Sequence, residues 1–161
     1  MKEHNATKLT TEIIALSNSN TWEDAKNEWV LSEVYEEDEP ETCLCGHYPI
    51  IEICVLRNRF NGAETIVGNV CVKKFLGLPS DRIFSAIKRI SMDNTKSLNI
   101  ESIEYMKSRG WLTDWEYGFY CNTHKKRVLS DKQMNSRVGI NQKLLRKSRN
   151  QLSCRGNSGG V

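Results

Sequence analysis

The chain has 161 residues, of which 39% are hydrophobic and 27% charged, and its formal net charge is +3. This length predicts one domain, or a small core with appendages, and the hydrophobic content lies below the globular average. No apolar run is long enough to cross a membrane, and the N-terminus lacks a cationic-then-apolar signal pattern. We therefore expect a cytoplasmic protein whose six cysteines are metal ligands or buried thiols rather than disulfides.

Acidic and basic side chains are separated along the chain. Residues 1–42 carry 3 basic and 11 acidic side chains, residues 43–98 carry 8 and 4, and residues 99–161 carry 12 and 5. We predict acidic helices and a strand in the first segment, a zinc-binding hairpin and helix in the second, and basic helices with a loose tail (156–161) in the third, all in one compact unit. This polarity indicates that the basic part binds nucleic acid, that the chain binds a charged protein, or both.

The N-terminal segment contains two helix signals and one strand signal. Apolar spacing predicts a short helix over 7–17, and a capping signal at Thr21 predicts a second over 22–29. The β-rich residues 29–35 predict a strand. Residues 36–41 are predicted to form a loop, because their acidic side chains repel one another and a proline blocks regular pairing.

The central segment predicts a β-hairpin. Residues 50–56 and 64–67 are β-rich, and Asn61-Gly62 between them is a strong turn signal. A helical turn is predicted at 71–76. Pro79-Ser80-Asp81 then starts another helix, whose apolar face holds Ile83, Phe84, Ile87 and Ile90.

The C-terminal segment is predicted to be helical, with its helix ends marked by capping residues. A helix over about 99–109 stops at a glycine. Capping boxes open a short aromatic helix and a final basic helix that runs to about residue 150; they pair Thr113 with Glu116 and Ser130 with Gln133. The predicted fold is therefore α+β, a small zinc-stabilised, treble-clef-like β-hairpin followed by several α-helices.

Three cysteines and a histidine surround the predicted hairpin in the manner of a structural zinc site. Cys43 and Cys45 lie on a tight turn before the hairpin, and Cys71 lies on the first turn of a helix after it, where the helix N-terminus favours a thiolate. His47 is the preferred fourth ligand, and Cys54 is the alternative. The competing interpretation is that these cysteines are simply buried small residues.

Other metal chemistry has fewer supporting residues. A catalytic zinc would need an open position and a nearby acid or base, for which Glu52 and His47 are the candidates, although Glu52 is better interpreted as an outward-facing strand residue. Cys121, His124 and Cys154 lack a clear fourth partner, so we interpret Cys121 as core and Cys154 as exposed tail. The sequence contains no phosphate-binding glycine loop, nucleophile elbow or H-E-x-x-H motif.

Basic residues cluster in two places that are candidates for phosphate contacts. The larger set precedes and occupies the final helix: Lys125, Lys126, Arg127, Lys132, Arg137, Lys143, Arg146, Lys147 and Arg149. The smaller set lies at the hairpin tip and near Cys71: Arg57, Arg59, Lys73 and Lys74. Four aromatic side chains are able to stack on bases, but their helical spacing favours the core: Trp111, Trp115, Tyr117 and Phe119.

The metal-site motif resembles a family of small zinc-finger-like proteins of phages and large DNA viruses, which has no settled activity. The resemblance covers roughly residues 29–145. The residues that carry it are Cys43-x-Cys45-Gly46-His47-x-x-Ile50, Asn58, Gly62, Val67-Gly68-x-x-Cys71, Phe75 and Leu129-Ser130-x-Lys132-Gln133. It implies a viral or prophage accessory protein in a host cytoplasm, with Zn²⁺ held by Cys43, Cys45, Cys71 and His47.

We expect a non-enzymatic protein that binds nucleic acid, or a nucleic-acid-handling complex, through its basic helices. DNA is favoured over RNA, and no membrane or small-molecule substrate is expected. The alternative is an inhibitor or modulator of a host defence, transcription or replication protein, which its acidic N-terminal region would contact by imitating DNA charge or docking on a basic surface. A metal-dependent nuclease is the third hypothesis.

Overall fold

A computed structural model of the chain describes residues 3–156, with side chains described as far as residue 149. The chain divides into two compact units, Met1–Asp81 (unit 1) and Arg82–Val161 (unit 2). This division differs from the segment ends predicted at residues 42 and 98. The predicted loose tail lies outside the described residues from 157 onward, while residue 156 ends a helix.

Unit 1 begins with two helices. Helix α1 (Glu3–Leu16) confirms the first predicted helix and buries Leu9 and Ile13. Helix α2 (Trp22–Ala25) is shorter than predicted, because the chain tightens into a 3₁₀ turn, Lys26–Glu28, before it becomes extended. Both predicted helices are therefore present, but the second occupies only the first half of its predicted range.

The sheet of unit 1 has three antiparallel strands among the described residues, in the order β1-β2-β3. They are β1 (Trp29–Glu41), β2 (Ile50–Asn58) and β3 (Glu64–Gly68), and the last two confirm the predicted hairpin. Gly62 adopts a φ of 75° at the hairpin turn, a conformation that a side chain disfavours. Residues at matched positions of the three strands, Val34, Cys54 and Val67, form part of the core.

The loop predicted at residues 36–41 is wrong, because β1 continues through this acidic stretch to Glu41. Glu36 pairs with Glu52 and Glu41 pairs with Ile50, so the residues between bulge away from β2. Strand β1 lies at the edge of the sheet, where charged residues and a proline are tolerated because no further ladder has to form on that side.

After β3 the chain returns to helical structure. A short helix, α3 (Asn69–Cys71), runs into a π-helical turn, Val72–Leu76. The turn ends at Gly77 with a φ of 65°, as the sequence predicts. Cys71 therefore comes one helical turn after the end of β3. It lines the same cleft as the first residues of β2.

Helices make up the described part of unit 2: α4 (Ser80–Met92, which starts at the last two residues of unit 1), α5 (Ile100–Ser108), α6 (Asp114–Thr123) and α7 (Asp131–Gly156). Thr113 and Glu116 form the predicted capping box, and Ser130 and Gln133 exchange the same pair of hydrogen bonds. The core contains Ile83, Ile90, Leu98, Ile103, Met106, Tyr120 and Leu144.

Helices α6 and α7 run antiparallel, because residues that ascend along α6 meet residues that descend along α7. Glu116 pairs with Lys143, Tyr120 donates a hydrogen bond to Asn141, and Thr123 accepts one from Arg137. The whole chain is thus α+β, as predicted. Between residues 3 and 156, no helix combines the length and apolar character needed to cross a membrane.

Candidate metal centre

A tight turn before β2 positions two of the candidate ligands. Its backbone is closed by hydrogen bonds from the Cys43 N–H to the His47 carbonyl (2.9 Å) and from the Gly46 N–H to the Cys43 carbonyl (2.8 Å). The φ of Gly46 is 87°, so a side chain there would be strained. The Leu44 N–H bonds the Ile66 carbonyl (3.1 Å), which ties the turn to β3 and brings it close to the helix that follows.

The structure brings the three predicted thiols together. Cys43, Cys45 and Cys71 are buried, and their Sγ atoms all lie within 4.8 Å of one another. The Sγ atoms of Cys71 and Cys45 are 3.6 Å apart, in hydrogen-bond contact and not in a disulfide. We call this group the cysteine trio, and it can hold a metal ion.

Backbone amides also point at the trio. The Gly68 N–H donates to the Cys43 Sγ (3.2 Å), and the His47 N–H donates to the Cys45 Sγ (3.4 Å). Such donors stabilise a thiolate, as do the hydrogen bonds that the Cys71 thiol donates to the sulfurs of Cys43 and Cys45.

Hydrogen bonds among the three thiols and their burial give them different pKa values. A hydrogen bond from Cys71, aided by the Gly68 amide, lowers the pKa of Cys43 to about 5. The same hydrogen bond raises the pKa of Cys71, and burial raises the pKa of Cys45. Without a cation one thiolate is favoured and the others stay protonated, whereas a bound cation would favour all three thiolates.

Neither candidate for the fourth ligand belongs to the trio. His47 is exposed, and its imidazole lies outside the group of mutually close donor atoms. Cys54 is fully buried in β2 beside the Ser80 hydroxyl, and burial raises its pKa to about 12. The position of Cys54 fits a small core residue better than a ligand, whereas His47 lines a cleft next to two trio members.

This cleft has a volume of about 350 Å³ and is lined by Cys43, His47, Glu52, Asn69 and Cys71, together with apolar side chains from the start of β2. Glu52 accepts a hydrogen bond from the Asn69 side chain (2.8 Å), and Asn69 accepts one from the Ser80 hydroxyl (2.5 Å). Glu52 is thus half-buried in the cleft wall, and the prediction that it faces outward is wrong. The sequence analysis did not identify Asn69 or Ser80, because no spacing pattern links them to Glu52.

A second polar cluster, at the hairpin turn, also escaped the sequence analysis. Glu28 is buried and accepts hydrogen bonds from the Ser19 hydroxyl (2.6 Å) and the Asn58 amide (2.7 Å). It also accepts bonds from the backbone N–H groups of Asn18 (2.9 Å) and Ser19 (2.8 Å). These contacts, the Ser19 hydroxyl first, lower the pKa of Glu28 to about 2. The cluster fixes the hairpin turn against the segment between α1 and α2.

Two members of the second cysteine set, Cys121 and His124, lie in the part of the chain whose side chains are described. The Cys121 thiol is half-buried, and the Nδ1 atom of His124 lies 3.0 Å from the Tyr120 carbonyl at the end of α6. The side chain of Cys154 falls outside the described residues. Among the side chains that are described, the trio is the one group of three or more close His, Cys, Asp or Glu donors.

The predicted phosphate-contacting residues separate into exposed and engaged side chains. Arg137 is buried, and its guanidinium donates to the backbone carbonyls of Thr123 (3.1 Å) and Thr95 (3.4 Å), so it does not belong to a surface. Lys143 is half-buried and pairs with Glu116. The exposed members of the larger set are Lys125, Lys126, Arg127, Lys132, Arg146, Lys147 and Arg149.

The smaller predicted basic set does not share one position on the hairpin. Arg57 lies opposite Glu64 in the β2–β3 ladder, at the start of β3 and next to the turn that holds Arg59. Lys73 and Lys74 follow the other end of β3, and Lys73 lies 3.3 Å from Asp81. All four side chains are exposed, but the two pairs attach at opposite ends of β3.

A comparison of this chain with protein-family models, with curated proteins and with solved structures found no match. The resemblance of the cysteine motif to small zinc-finger-like viral proteins therefore stays a prediction. What the protein does has to be inferred from the chemistry of its own residues.

Proposed function

We propose that this protein binds nucleic acid through unit 2, as a non-enzymatic accessory factor, and that unit 1 is stabilised by zinc. The observation that carries the proposal is the division of charge between the two units. Unit 1 contains 7 Lys and Arg against 14 Asp and Glu, a net charge of −7, whereas unit 2 contains 16 against 6, a net charge of +10. A charge of this density attracts phosphates without reading sequence.

The cations of unit 2 differ in whether they are already neutralised. Lys107 and Lys143 form ion pairs with Asp114 and Glu116. In contrast, the seven exposed cations between Lys125 and Arg149 have no ion-pair partner among the described residues. A phosphate backbone would release its counterions on meeting these side chains without first having to break a salt bridge.

Zinc is the metal that suits the trio best. Four ligands at about 2.3 Å in a tetrahedron place thiolate sulfurs about 3.8 Å apart, and the Cys45–Cys71 separation of 3.6 Å is close to that value. Three ligands come from the trio, and His47 is the chain's own candidate for the fourth because it lines the adjoining cleft. The metal would join the turn before β2 to α3, which supports a structural rather than a catalytic role.

The resemblance to small zinc-finger-like viral proteins favours a phage or mobile-element origin and hence a host nucleic-acid context. DNA is our preferred ligand. Such a protein would track a phosphate backbone and would show little preference among sequences, because phosphate contacts carry no base information.

Salt dependence of DNA binding tests this proposal. We would measure binding of the zinc-loaded protein to mixed-sequence DNA by fluorescence anisotropy over a salt series. Replacing Lys125, Lys126 and Arg127 by Gln should lower the affinity about 100-fold near 0.1 M salt and reduce the slope of log K against log salt by about 2 to 3.

The matched control removes three exposed cations from unit 1, as Arg57→Gln/Arg59→Gln/Lys74→Gln. The two triple variants carry the same net charge, so a difference between them reports location and not total charge. An equal loss of DNA affinity in both variants would show that the contact surface is not confined to unit 2. Undetectable binding of the unmodified protein at low salt would refute the proposal.

A second candidate function rests on the acidic end of β1. The acidic residues Glu36, Glu37, Asp38, Glu39 and Glu41 belong to an edge strand rather than to a loop, and all but Glu37 are exposed, so five carboxylates are concentrated at one end of β1. This arrangement would suit a basic surface on a host defence, transcription or replication protein. Replacing the five acids by Gln or Asn should abolish capture of such a partner and leave DNA binding unchanged, whereas capture that persists would exclude this candidate.

A further inference from the structure

Trp115 is the exception among the aromatic side chains of unit 2. It is 65% exposed at the start of α6, whereas Trp111 is 8% exposed and Tyr120 is fully buried. The sequence spacing of these residues predicts core positions, and Trp115 is not in the core. A tryptophan of this exposure contributes little apolar burial to the stability of the unit, which leaves its position unexplained by packing.

The Trp115 ring has one occupied face. It stacks on Phe119 with ring centroids 5.5 Å apart and an interplanar angle of 20°. Phe119 in turn meets Tyr120 edge-on at 6.0 Å, and the Tyr120 hydroxyl bonds Asn141 of α7. The stack is therefore anchored in the core, and its outermost ring presents aromatic surface to solvent.

The antiparallel arrangement of α6 and α7 brings cations of α7 toward the end of α6 that carries Trp115. Glu116, the neighbour of Trp115, pairs with Lys143 of α7. Because α7 runs toward the start of α6, the residues of α7 that follow Lys143 continue toward the end of α6 that carries Trp115. Arg146 and Lys147 follow about one helical turn later, and both are exposed.

We propose that Trp115 is a stacking platform for a base of single-stranded nucleic acid, whose phosphates are held by Arg146 and Lys147. This inference rests on the proposed nucleic-acid function and names the form of the ligand. An unpaired base can place its face on Trp115 and extend the existing aromatic stack, whereas the bases of a duplex already stack on one another.

The test compares binding of fluorescently labelled single-stranded DNA, RNA of the same sequence, and the DNA duplex. In the full-length, zinc-loaded protein, Trp115→Leu keeps an apolar cover over Phe119 but removes the aromatic face. We expect it to weaken binding of single strands about 5-fold to 100-fold and to leave duplex binding unchanged. Trp115→Phe should retain most of the affinity, because it can still stack.

Met92→Ala is the matched control, since it removes an 80% exposed apolar side chain from the same unit. It should bind like the unmodified protein. Single strands should also quench tryptophan fluorescence, and the quenched fraction should disappear in Trp115→Leu. Comparing the affinities for the DNA and RNA strands shows whether the stacking platform prefers DNA or RNA.

The possible failures are distinguishable. If Trp115→Leu binds single strands as tightly as the unmodified protein, or loses single-strand and duplex binding equally, the stacking platform is refuted while the phosphate-binding function stands. If the unmodified protein binds none of the three ligands at low salt, the proposed function fails, and the platform fails with it.

Discussion

The two units of this chain differ in secondary structure, in the groups that they bury and in net charge. Unit 1 combines a three-stranded sheet with buried thiols and a buried carboxylate, and its net charge is −7. The regular secondary structure in the described part of unit 2 is helical, its mainly apolar core also buries Arg137 and Asn141, and its net charge is +10. Both units thus have an apolar core with buried polar groups, but among the described residues the cysteine trio and the buried carboxylate belong to unit 1, and the cations that remain exposed are concentrated in unit 2.

This contrast separates structural from binding residues. A residue such as Cys71 or Glu28 is held by buried partners, so its substitution should mainly lower the free energy of unfolding. A residue such as Lys126 is exposed, so its removal should be felt as lost binding. Three predictions test the structural side of the comparison.

The largest expected effect is the loss of the metal from unit 1. Cys71→Ser removes one of the three buried thiols, and we expect it to abolish zinc binding and to lower the free energy of unfolding by at least about 3 kcal/mol. Zinc content, measured by elemental analysis, should fall from one ion per chain to none by the four-ligand argument. Hydrogen exchange should accelerate most in α3, which contains Cys71, and in β3, which precedes it.

Cys54→Ala is the matched control, because Cys54 is an equally buried thiol outside the trio. It should keep its zinc and lose only about 1 kcal/mol. His47→Ala should keep the metal with weaker affinity if the imidazole supplies the fourth ligand. A Cys71→Ser protein that retains both its metal and its stability would show that the trio is only a group of buried thiols.

A smaller effect is expected from the buried amide of unit 2. Asn141 accepts a hydrogen bond from Tyr120 and donates to the carbonyls of Asn94 (2.9 Å) and Lys96 (2.8 Å). Asn141→Ala leaves the buried Tyr120 hydroxyl and the two part-buried carbonyls without this partner, and it should lower the free energy of unfolding by about 1 to 3 kcal/mol. Gln142→Ala, which removes the exposed amide next to it, should change the urea midpoint little. Equal effects of the two substitutions would contradict the proposed role of the amide network.

The smallest expected effect depends on pH and concerns Glu28. Its pKa is about 2 in the folded protein against an ordinary value of 4.5, so the unfolded chain binds this proton more readily. The carboxylate therefore stabilises unit 1 above about pH 4.5, and this contribution is lost as the pH falls toward 2. Glu28→Gln should thus be less stable than the unmodified protein at neutral pH, and the difference should shrink in acid.

Urea titrations at several pH values measure this change. Glu23→Gln is the control, since Glu23 is an exposed carboxylate whose ion pair with Lys26 lies on the surface. Its effect should be small at every pH. A Glu28→Gln deficit that is independent of pH would mean that the hydrogen-bond geometry, and not the carboxylate charge, stabilises the turn.

Local signals in the sequence predicted much of this fold. The hairpin follows from two β-rich runs around Gly62, and the capping box at Thr113 appears where the residue spacing requires it. The three thiols also come together as predicted, because a tight turn, a hairpin and a helix start are each encoded within a few residues. These features depend on short-range backbone preferences, which a sequence states directly.

Features that depend on distant neighbours were missed or mistaken. The acidic run 36–41 continues β1 because β2 pairs with both of its ends, at Glu36 and Glu41, although the residues between them bulge away. Arg137 resembles its basic neighbours in sequence, but it is buried because carbonyls from two other segments accept its hydrogen bonds. Trp115 shares the helical spacing of core aromatics, yet its side of α6 is not covered.

By itself, therefore, the sequence determined the α+β class, the hairpin, the helix caps, the identity of the three thiols and the polarity of charge. Only the tertiary structure decided which cations remain exposed, that Glu52 lines a cleft beside the trio, that His47 lies outside it, and that one tryptophan faces solvent. The physical reason is that local preferences act over a few residues, whereas burial, pairing and exposure depend on residues that only folding brings together.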